Sequence, residues 1–295
     1  MVRTVPVFFL ALATSFVAHV SPLSPKKAMI WVANPLKQTT LDAMIADLKS
    51  HRSSFTGIAY QYFAICGQGS NDDGGSKDCP ASDAKGEPHL SQGHPVGVPL
   101  DLHAQLKKKL DVDVELWPTI SYGNPGNANV LNRLLANETL QKKFAADAVV
   151  VAKAQNLTGF NFDLETLGMV DVAPFLKVFG NVVHASGIKF SYDALNYPVQ
   201  GADADRWISM ATYTSDINAF RTGLKEGLQS SGEKFGVGLC PSCAVLSESA
   251  VQDRFDAIQS IGKGAFRELD MWAYGATGWD YFWPRLQTWL ASDRL

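Results

Sequence analysis

Three polar side chains alternate with apolar ones in the segment Gly159–Glu165, which reads GFNFDLE. Side chains two residues apart share one face of a β-strand, so Asn161, Asp163 and Glu165 would form a single polar row, with about 6–7 Å between successive members. The residues between them are apolar and would face a packing layer. Because burial penalises a charged carboxylate, two acids at this spacing in a buried strand indicate a functional role.

The two carboxyl groups have the types and spacing of a general acid and its partner. A negative neighbour raises the pKa of a carboxyl group, so either Asp163 or Glu165 can hold a proton near neutral pH and give it to a leaving-group oxygen. The alternative is a pair of strand-end carboxylates held in structural salt bridges. The fold around this strand decides between the catalytic and the structural interpretation.

Apolar, β-branched or aromatic runs alternate with amphipathic stretches along the whole chain. This alternation favours a parallel sheet with helical crossovers. The predicted strands are Ala28–Ala33, Gly57–Ile65, Val112–Ile120, Gly159–Leu164, Lys189–Leu195, Trp207–Tyr213, Lys234–Leu239 and Leu269–Tyr274. The predicted helices are Leu41–His51, Leu100–Leu110, Asn129–Gln155, Val172–Ala185, Ile217–Gln229, Ser249–Ile261 and Pro284–Ser292.

Eight such units predict an α/β fold, a single (β/α)8 TIM barrel over residues 21–295, since such barrels take about 250 residues. A doubly wound open sheet is the alternative, but no Gly-rich dinucleotide fingerprint follows the first strand. The long loop from Cys66 to Val98 follows the second strand and would lie at the face where barrel active sites form, so it is either functional or a tolerated insertion. The stretch Cys240–Ser249 leaves no room for an inserted subdomain.

Composition is that of a globular protein, with 46% hydrophobic and 19% charged residues among 295 and a net charge of −3. There is no basic field to attract nucleic acid. Residues 1–20 combine a basic tip with a short apolar run and predict a signal peptide, cleaved near Ala18 to Ser21, although an uncleaved anchor is the alternative. We therefore expect a secreted protein, or one in the lumen of the secretory or lysosomal route, with no membrane contact after cleavage.

Entry to the secretory route makes the four cysteines candidates for disulfides. Local pairing of Cys66 with Cys79 and of Cys240 with Cys243 is the simplest of the three connectivities. The second pair is a CxxC motif, which can also form a redox centre or half a zinc site. No second CxxC is present, so a structural bridge is expected.

Two sequons for N-glycosylation are present. Asn137-Glu-Thr139 lies in an exposed-looking helical stretch and is the expected acceptor. Asn156-Leu-Thr158 runs into the candidate functional strand, where Thr158 is expected to be inaccessible.

The segment Thr158–Glu165 resembles the pattern D-G-x-D-x-D-x-E on the fourth barrel strand of glycoside hydrolase family 18, the chitinases and their relatives. Glu165 matches the family's proton donor, and Asp163 matches the residue that orients the acetamido group of the substrate. Thr158 stands where the family has its first Asp, and Asn161 where it has its second. An Asn at that second position resembles the di-N-acetylchitobiase branch.

Other segments are similar to motifs of the same family. Lys189–Leu195 resembles the aromatic-Asp segment of the chitobiase branch and supplies Tyr192 and Asp193. Ser209–Tyr213 resembles the M-x-Y-D motif, with one extra residue and with Thr214 where Asp is usual. These similarities extend the resemblance from the fourth strand toward the C-terminus.

The resemblance implies a retaining mechanism in which the substrate supplies its own nucleophile, an exception to the usual pair of carboxylates. The N-acetyl oxygen attacks the anomeric carbon while Glu165 protonates the leaving oxygen and later activates water. Asp163 would hydrogen-bond the acetamide N–H, and Tyr213, or Tyr192 in its place, the acetamide carbonyl. Trp272, at the position of the family's floor tryptophan, would lie under the sugar ring.

Supporting roles are less sharply defined by the sequence. Asn161 either tunes Asp163 or contacts substrate, and Asp193 either supports the acidic row or forms a structural ion pair. Aromatic residues after the eighth strand either form a rim for sugar stacking or seal the last helix onto the barrel. The resemblance implies no metal and no other cofactor.

The expected substrates are β-1,4-linked N-acetylglucosamine oligosaccharides, and the short loop after the seventh strand favours soluble oligomers or N-glycan cores over crystalline chitin. The alternative function is a carbohydrate-binding, lectin-like protein without turnover on the same barrel. A third possibility is a secreted thiol oxidoreductase that uses Cys240 and Cys243. The sequence leaves endo or exo action and the oligomeric state open.

Overall fold

A computed structural model describes most of the chain. The described residues are 24–32, 38–68, 70, 79–80, 82–93, 98–110, 113–121, 128–164, 171–194, 202–241, 243, 246–276 and 278–292. Glu165 and the predicted signal peptide, residues 1–20, lie outside them.

Eight parallel strands of the described chain form a closed barrel, and a ninth strand is added to it. The strands are β1 (Lys27–Val32), β2 (Gly57–Cys66), β3 (His89–Gln92), β4 (Glu115–Ser121), β5 (Gly159–Asp163), β6 (Lys189–Ala194), β7 (Arg206–Ser209), β8 (Phe235–Leu239) and β9 (Glu268–Met271). β1 pairs with both β2 and β9, which closes the ring. The predicted barrel is confirmed and the open sheet is wrong, because an open sheet has two unpaired edges.

The ninth strand, β3, was not predicted. It lies within the loop from Cys66 to Val98 and pairs antiparallel with β2. The disulfide between Cys66 and Cys79 connects the end of β2 to the same loop. That long connection is therefore partly ordered onto the barrel.

Helices surround the barrel, with the bounds α1 (Gln38–Ser50), α2 (Leu102–Lys109), α3 (Ala128–Leu135), α4 (Glu138–Gln155), α5 (Ala173–His184), α6 (Ile217–Ser231), α7 (Glu248–Gly262) and α8 (Trp283–Ala291). The prediction of one helix over Asn129–Gln155 is wrong. Asn137 interrupts it, because its Oδ1 accepts hydrogen bonds from the backbone N–H groups of Thr139 and Leu140 and so caps α4. None of the described helices is both long and apolar enough to cross a bilayer.

The two faces of each barrel strand have different surroundings. On β5, Phe160 and Phe162 are fully buried and pack against Phe179 of α5, with ring centroids 6.1 and 4.7 Å away. These residues belong to the large apolar layer between barrel and helices. Asn161 and Asp163 alternate with them and so face the barrel interior, as the sequence predicts.

The loops that follow the strands also match several expectations. Both predicted disulfides are formed, Cys66 with Cys79 and Cys240 with Cys243. α7 begins at Glu248, so no subdomain is inserted after β8. The connection between β8 and α7 is therefore short.

Candidate active site

Asn161 lies inside the barrel and has no exposed surface. Its Nδ2 donates to Asp193 Oδ2 at 2.7 Å and to Thr119 Oγ1 at 3.4 Å, while its Oδ1 accepts from the Ser191 hydroxyl at 2.6 Å. The amide thus joins three neighbouring strands, β4, β5 and β6. A fully buried amide with three partners offers no surface to a sugar, so Asn161 supports its neighbours in this structure.

Asp163 is the last residue of β5 and is partly exposed. It follows Asn161 by two positions and so lies about 6–7 Å closer to the carboxyl-terminal mouth. Asp193 on β6 is 4% exposed and accepts the hydrogen bond from Asn161. The structure therefore brings Asp163, Asn161 and Asp193 together, with the outermost carboxyl group at the opening.

Tyr213 reaches the mouth from a turn, not from a strand. β7 ends at Ser209, earlier than predicted, and the hydroxyl of Thr212 donates to the backbone oxygens of Ser209 and Gly238 at 2.8 and 2.6 Å. The ring of Tyr213 then lies over Gly238 on β8. A Cβ at Gly238 would come within 2.6 Å of the Tyr213 ring, so this glycine provides the space for it.

Trp272 follows β9 and covers an apolar cluster inside the barrel. Its ring meets Trp31 edge to face, with centroids 4.6 Å apart, and its backbone N–H donates to the oxygen of Leu239 at 2.8 Å. The rest of the cluster consists of Met29, Ala59 and Trp117. Trp272 is itself partly exposed. It therefore offers a partly exposed aromatic surface above a packed apolar cluster.

Tyr192 does not reach the interior, which corrects its predicted role as a substrate contact. It alternates with Asp193 on β6, so it points outward into the helix layer, where it is 5% exposed and packs on Trp207 at 5.9 Å. Its hydroxyl donates to the backbone oxygen of Leu164 at 3.3 Å. Strand alternation alone would have excluded Tyr192 once Asp193 was placed inside.

The base of the barrel interior contains ion pairs that the sequence reading missed. Lys27 and Glu115 form an ion pair at 2.6 Å, and Arg206 forms a buried one with Glu268. The Arg206 guanidinium also lies 3.8 Å from the centre of the Trp117 ring. Burial raises the pKa of Glu115, but the hydrogen bond and charge of Lys27 outweigh it and hold that pKa below its usual value.

Asp270 on β9 is a second missed residue, two positions before Trp272 and 1% exposed. Burial raises its pKa well above the usual value, and the negative charges of Glu268 and Asp193 add to that effect. Burial also raises the pKa of Glu268, although the nearby Arg206 opposes the change. The alternation of Glu268, Asp270 and Trp272 in the sequence is the signal that could have placed Asp270 on the same face as Trp272.

Of the positions that depart from the family pattern, Asn161 lies in the barrel interior, whereas Thr158 and Thr214 lie outside the barrel strands. Thr158 is exposed at the amino-terminal end of β5, five residues and about 16 Å along the strand from Asp163. The expectation that Thr158 is inaccessible is therefore wrong, and both sequons are exposed. Thr214 accepts a hydrogen bond from the N–H of Asp216 at 3.1 Å, just before α6 begins.

The aromatic group after β9 divides between two roles. Trp279, Phe282 and Trp283 are at most 4% exposed and seal α8 onto the barrel, whereas Tyr281 is 39% exposed. Among the residues that the structure describes, no group of three or more His, Cys, Asp or Glu side chains is arranged to hold a metal ion.

The fold and the inward side chains of Asn161, Asp163 and Asp193 define the chain as a (β/α)8 barrel with polar groups in its interior. Its fold is similar to that of a chitinase from Chromobacterium violaceum, with a TM-score of 0.63, 14% identity, and coverage of 90% of this chain and 99% of the other. A family 18 chitinase from Crocus vernus gives a TM-score of 0.58 at 11% identity, with coverage of 89% and 98%.

The spore cortex-lytic enzyme SleL of Bacillus megaterium also has this fold. Its TM-score is 0.61 at 14% identity, over 90% of this chain and 75% of the other. No protein-family model and no curated protein sequence matches the chain. At these identities the likeness establishes the fold alone.

Proposed function

We propose that this protein is a glycoside hydrolase of the family 18 type that cleaves β-1,4-linked N-acetylglucosamine oligosaccharides with retention and substrate assistance. The observation that supports the proposal is that Asp163, Tyr213 and Trp272 all lie at or just beyond the carboxyl ends of barrel strands. These three side chains come from β5, from the turn after β7 and from the end of β9. The similarity of the fold to that of chitinases supports the same function.

The chemistry follows from the positions of these groups. Trp272 offers an apolar face on which a sugar ring can stack. Asp163 is a carboxylate at the opening, suited to bind the acetamide N–H and to stabilise the positive charge that develops on the oxazolinium ring. Tyr213 donates to the acetamide oxygen, which turns that oxygen toward the anomeric carbon. Glu165, two residues beyond Asp163 in sequence, is proposed as the proton donor and later as the base.

The test is release of a fluorophore from a chitobioside by wild type and by Glu165→Gln. We expect wild type to turn over and the variant to lose at least about a thousandfold in kcat, since it lacks both the acid and the base. Glu138→Gln is the matched control, because Glu138 is exposed on α4 and paired with Lys142. Equal loss in both variants, or none in Glu165→Gln, would contradict the proposal.

The second candidate is a carbohydrate-binding protein without turnover on the same barrel. The absence of Asp at Thr158 and Thr214 is the observation in its favour. In that case wild type and Glu165→Gln would bind chitooligosaccharides equally and release nothing. The exposed position of Thr158, far along β5 from Asp163, favours the hydrolase.

We further propose that the chain is secreted or lumenal and carries a glycan at Asn137. Both disulfides are compatible with an oxidising compartment. The Cys240–Cys243 bridge would act structurally, so Cys240→Ser should leave chitobioside hydrolysis measurable. A disulfide reductase activity that disappears in Cys240→Ser but persists in Glu165→Gln would support the oxidoreductase alternative instead.

A further inference from the structure

The segment that carries Trp272 lies beyond the last paired residue of its strand. β9 ends at Met271, and its ladder pairings with β1 and β8 end at the same residue. Beyond it, the Trp272 N–H donates to the oxygen of Leu239 on β8 at 2.8 Å. The Tyr274 N–H donates to the oxygen of Trp31 on β1, also at 2.8 Å. Because a single residue separates Trp272 from Tyr274, whatever holds Tyr274 also limits the movement of Trp272.

Tyr274 is held from outside the barrel by the first helix. Its hydroxyl donates to Asp47 Oδ2 on α1 at 2.6 Å. Its ring meets that of Trp279 edge to face, with centroids 5.7 Å apart. Both Tyr274 and Asp47 are partly exposed. The backbone, the ring and the hydroxyl of Tyr274 therefore each have a separate contact, and the contact of the hydroxyl is with a helix distant in the sequence.

The carboxyl group of Asp47 is itself part of a larger set of contacts. Its Oδ1 lies 3.8 Å from Nε2 of His51, one turn later on α1. The His51 ring stacks on Trp283 of α8, with centroids 4.4 Å apart. The Trp283 ring in turn meets Trp279 edge to face at 5.3 Å. The contacts form a closed circuit of Tyr274, Asp47, His51, Trp283 and Trp279.

We propose that Asp47 and Tyr274 are positioning residues that hold the Trp272 ring in place for sugar stacking. The proposal rests on the proposed function, because that function assigns the Trp272 ring to a sugar. Trp272 is partly exposed, and Trp31 supports it edge to face at 4.6 Å. A ring that is fixed before binding spares the complex the entropic cost of ordering it. Since stacking is present in both the bound substrate and the transition state, loss of this pair should raise KM and leave kcat nearly unchanged.

The first test is Tyr274→Phe, which removes only the hydroxyl. We expect KM for a fluorogenic chitobioside to rise by about 3- to 10-fold, with kcat within about twofold of wild type. The matched control is Tyr62→Phe, because Tyr62 is 1% exposed and its hydroxyl donates to the backbone oxygen of Leu100 on the outer side of β2. The control should lower the urea midpoint at least as much and leave KM unchanged. An unchanged KM in Tyr274→Phe, or an equal rise in both variants, contradicts the proposal.

The second test replaces the acceptor. Asp47→Asn keeps an acceptor oxygen in a side chain of the same size, so its KM should stay within about twofold of wild type. Asp47→Ala removes the acceptor and should raise KM as much as Tyr274→Phe does. The double variant Asp47→Ala/Tyr274→Phe should be no worse than either single variant, because both changes remove the same hydrogen bond. Increases in KM that multiply in the double variant overturn the pairing.

The third test observes the Trp272 ring directly by fluorine NMR of protein labelled with fluorotryptophan. The Trp272 signal is the one missing from Trp272→Phe. It should shift or broaden in Tyr274→Phe and Asp47→Ala and stay unchanged in Tyr62→Phe. A Trp272 signal that is the same in all of these variants overturns the proposal. If wild type does not hydrolyse the chitobioside, the proposed function fails, whereas the fluorine spectra still decide whether Asp47 and Tyr274 position Trp272.

Discussion

The sequence offers two tyrosines for the sugar site, Tyr192 on β6 and Tyr213 after β7, and the structure places them in different environments. Tyr192 is in the helix layer against Trp207, and its hydroxyl bonds the backbone oxygen of Leu164. Tyr213 lies over Gly238 at the mouth and is partly exposed. Removing one hydroxyl should therefore affect stability, and removing the other should affect catalysis.

The prediction is tested with Tyr213→Phe and Tyr192→Phe. Tyr213→Phe should lower kcat by about 10- to 100-fold, since it removes a hydrogen bond to a group that becomes charged. Tyr192→Phe should cost about 1 kcal/mol of unfolding free energy and leave kcat nearly unchanged. Steady-state kinetics and urea unfolding measure the two effects, and a larger catalytic loss in Tyr192→Phe would contradict the assignment.

At the scale of the element, α3 and α4 show how one side chain sets a helix boundary. Asn137 adopts an extended backbone conformation and accepts hydrogen bonds from two N–H groups at the start of α4. The same residue is exposed and belongs to a sequon, with Thr139 as the hydroxyl residue. The helix cap therefore requires Asn137 but not the Thr139 side chain, whereas glycosylation requires both Asn137 and the Thr139 hydroxyl.

Asn137→Ala and Thr139→Val separate these two roles. Both remove the sequon, so neither should carry the glycan when expressed in a eukaryotic host, as intact mass would show. In unglycosylated protein, only Asn137→Ala should lose about 1 kcal/mol of unfolding free energy, because Thr139 contributes a backbone N–H that valine retains. Equal destabilisation would show that the cap is unimportant.

At the scale of the whole molecule, a buried histidine outside the barrel ties stability to pH. His103 on α2 is 6% exposed, and its Nδ1 lies 2.5 Å from the hydroxyl of Tyr60 on β2. Burial and the charge of Lys107 lower the pKa of His103 from 6.5 to about 4. The folded state therefore binds this proton less well than the unfolded chain does.

The sign of the effect follows from linkage. Stability associated with neutral His103 is complete above pH 6.5 and is lost as the pH falls toward 4, because the unfolded chain takes up the proton first. After allowance for solvent screening, we expect a loss of about 1–2 kcal/mol. His103→Gln should flatten the fall in the urea midpoint over this range, and parallel curves for both proteins would contradict the prediction.

The sequence predicted the barrel because its signals are local. Strand and helix periods, and the spacing of Asn161 and Asp163, are properties of short segments. The Cys66–Cys79 and Cys240–Cys243 bridges were likewise predicted from proximity in the chain. Tyr192 was misassigned because the family resemblance was given more weight than the alternation on its own strand.

The chain by itself determined which side chains share a face, since alternation along a strand depends only on backbone geometry. The tertiary structure alone decided which faces meet. Asp270 is far along the chain from Asn161 and Asp193, yet closure of the ring places all three in one interior. Charge interactions depend on distance in space and on burial, and neither quantity is visible until the barrel closes.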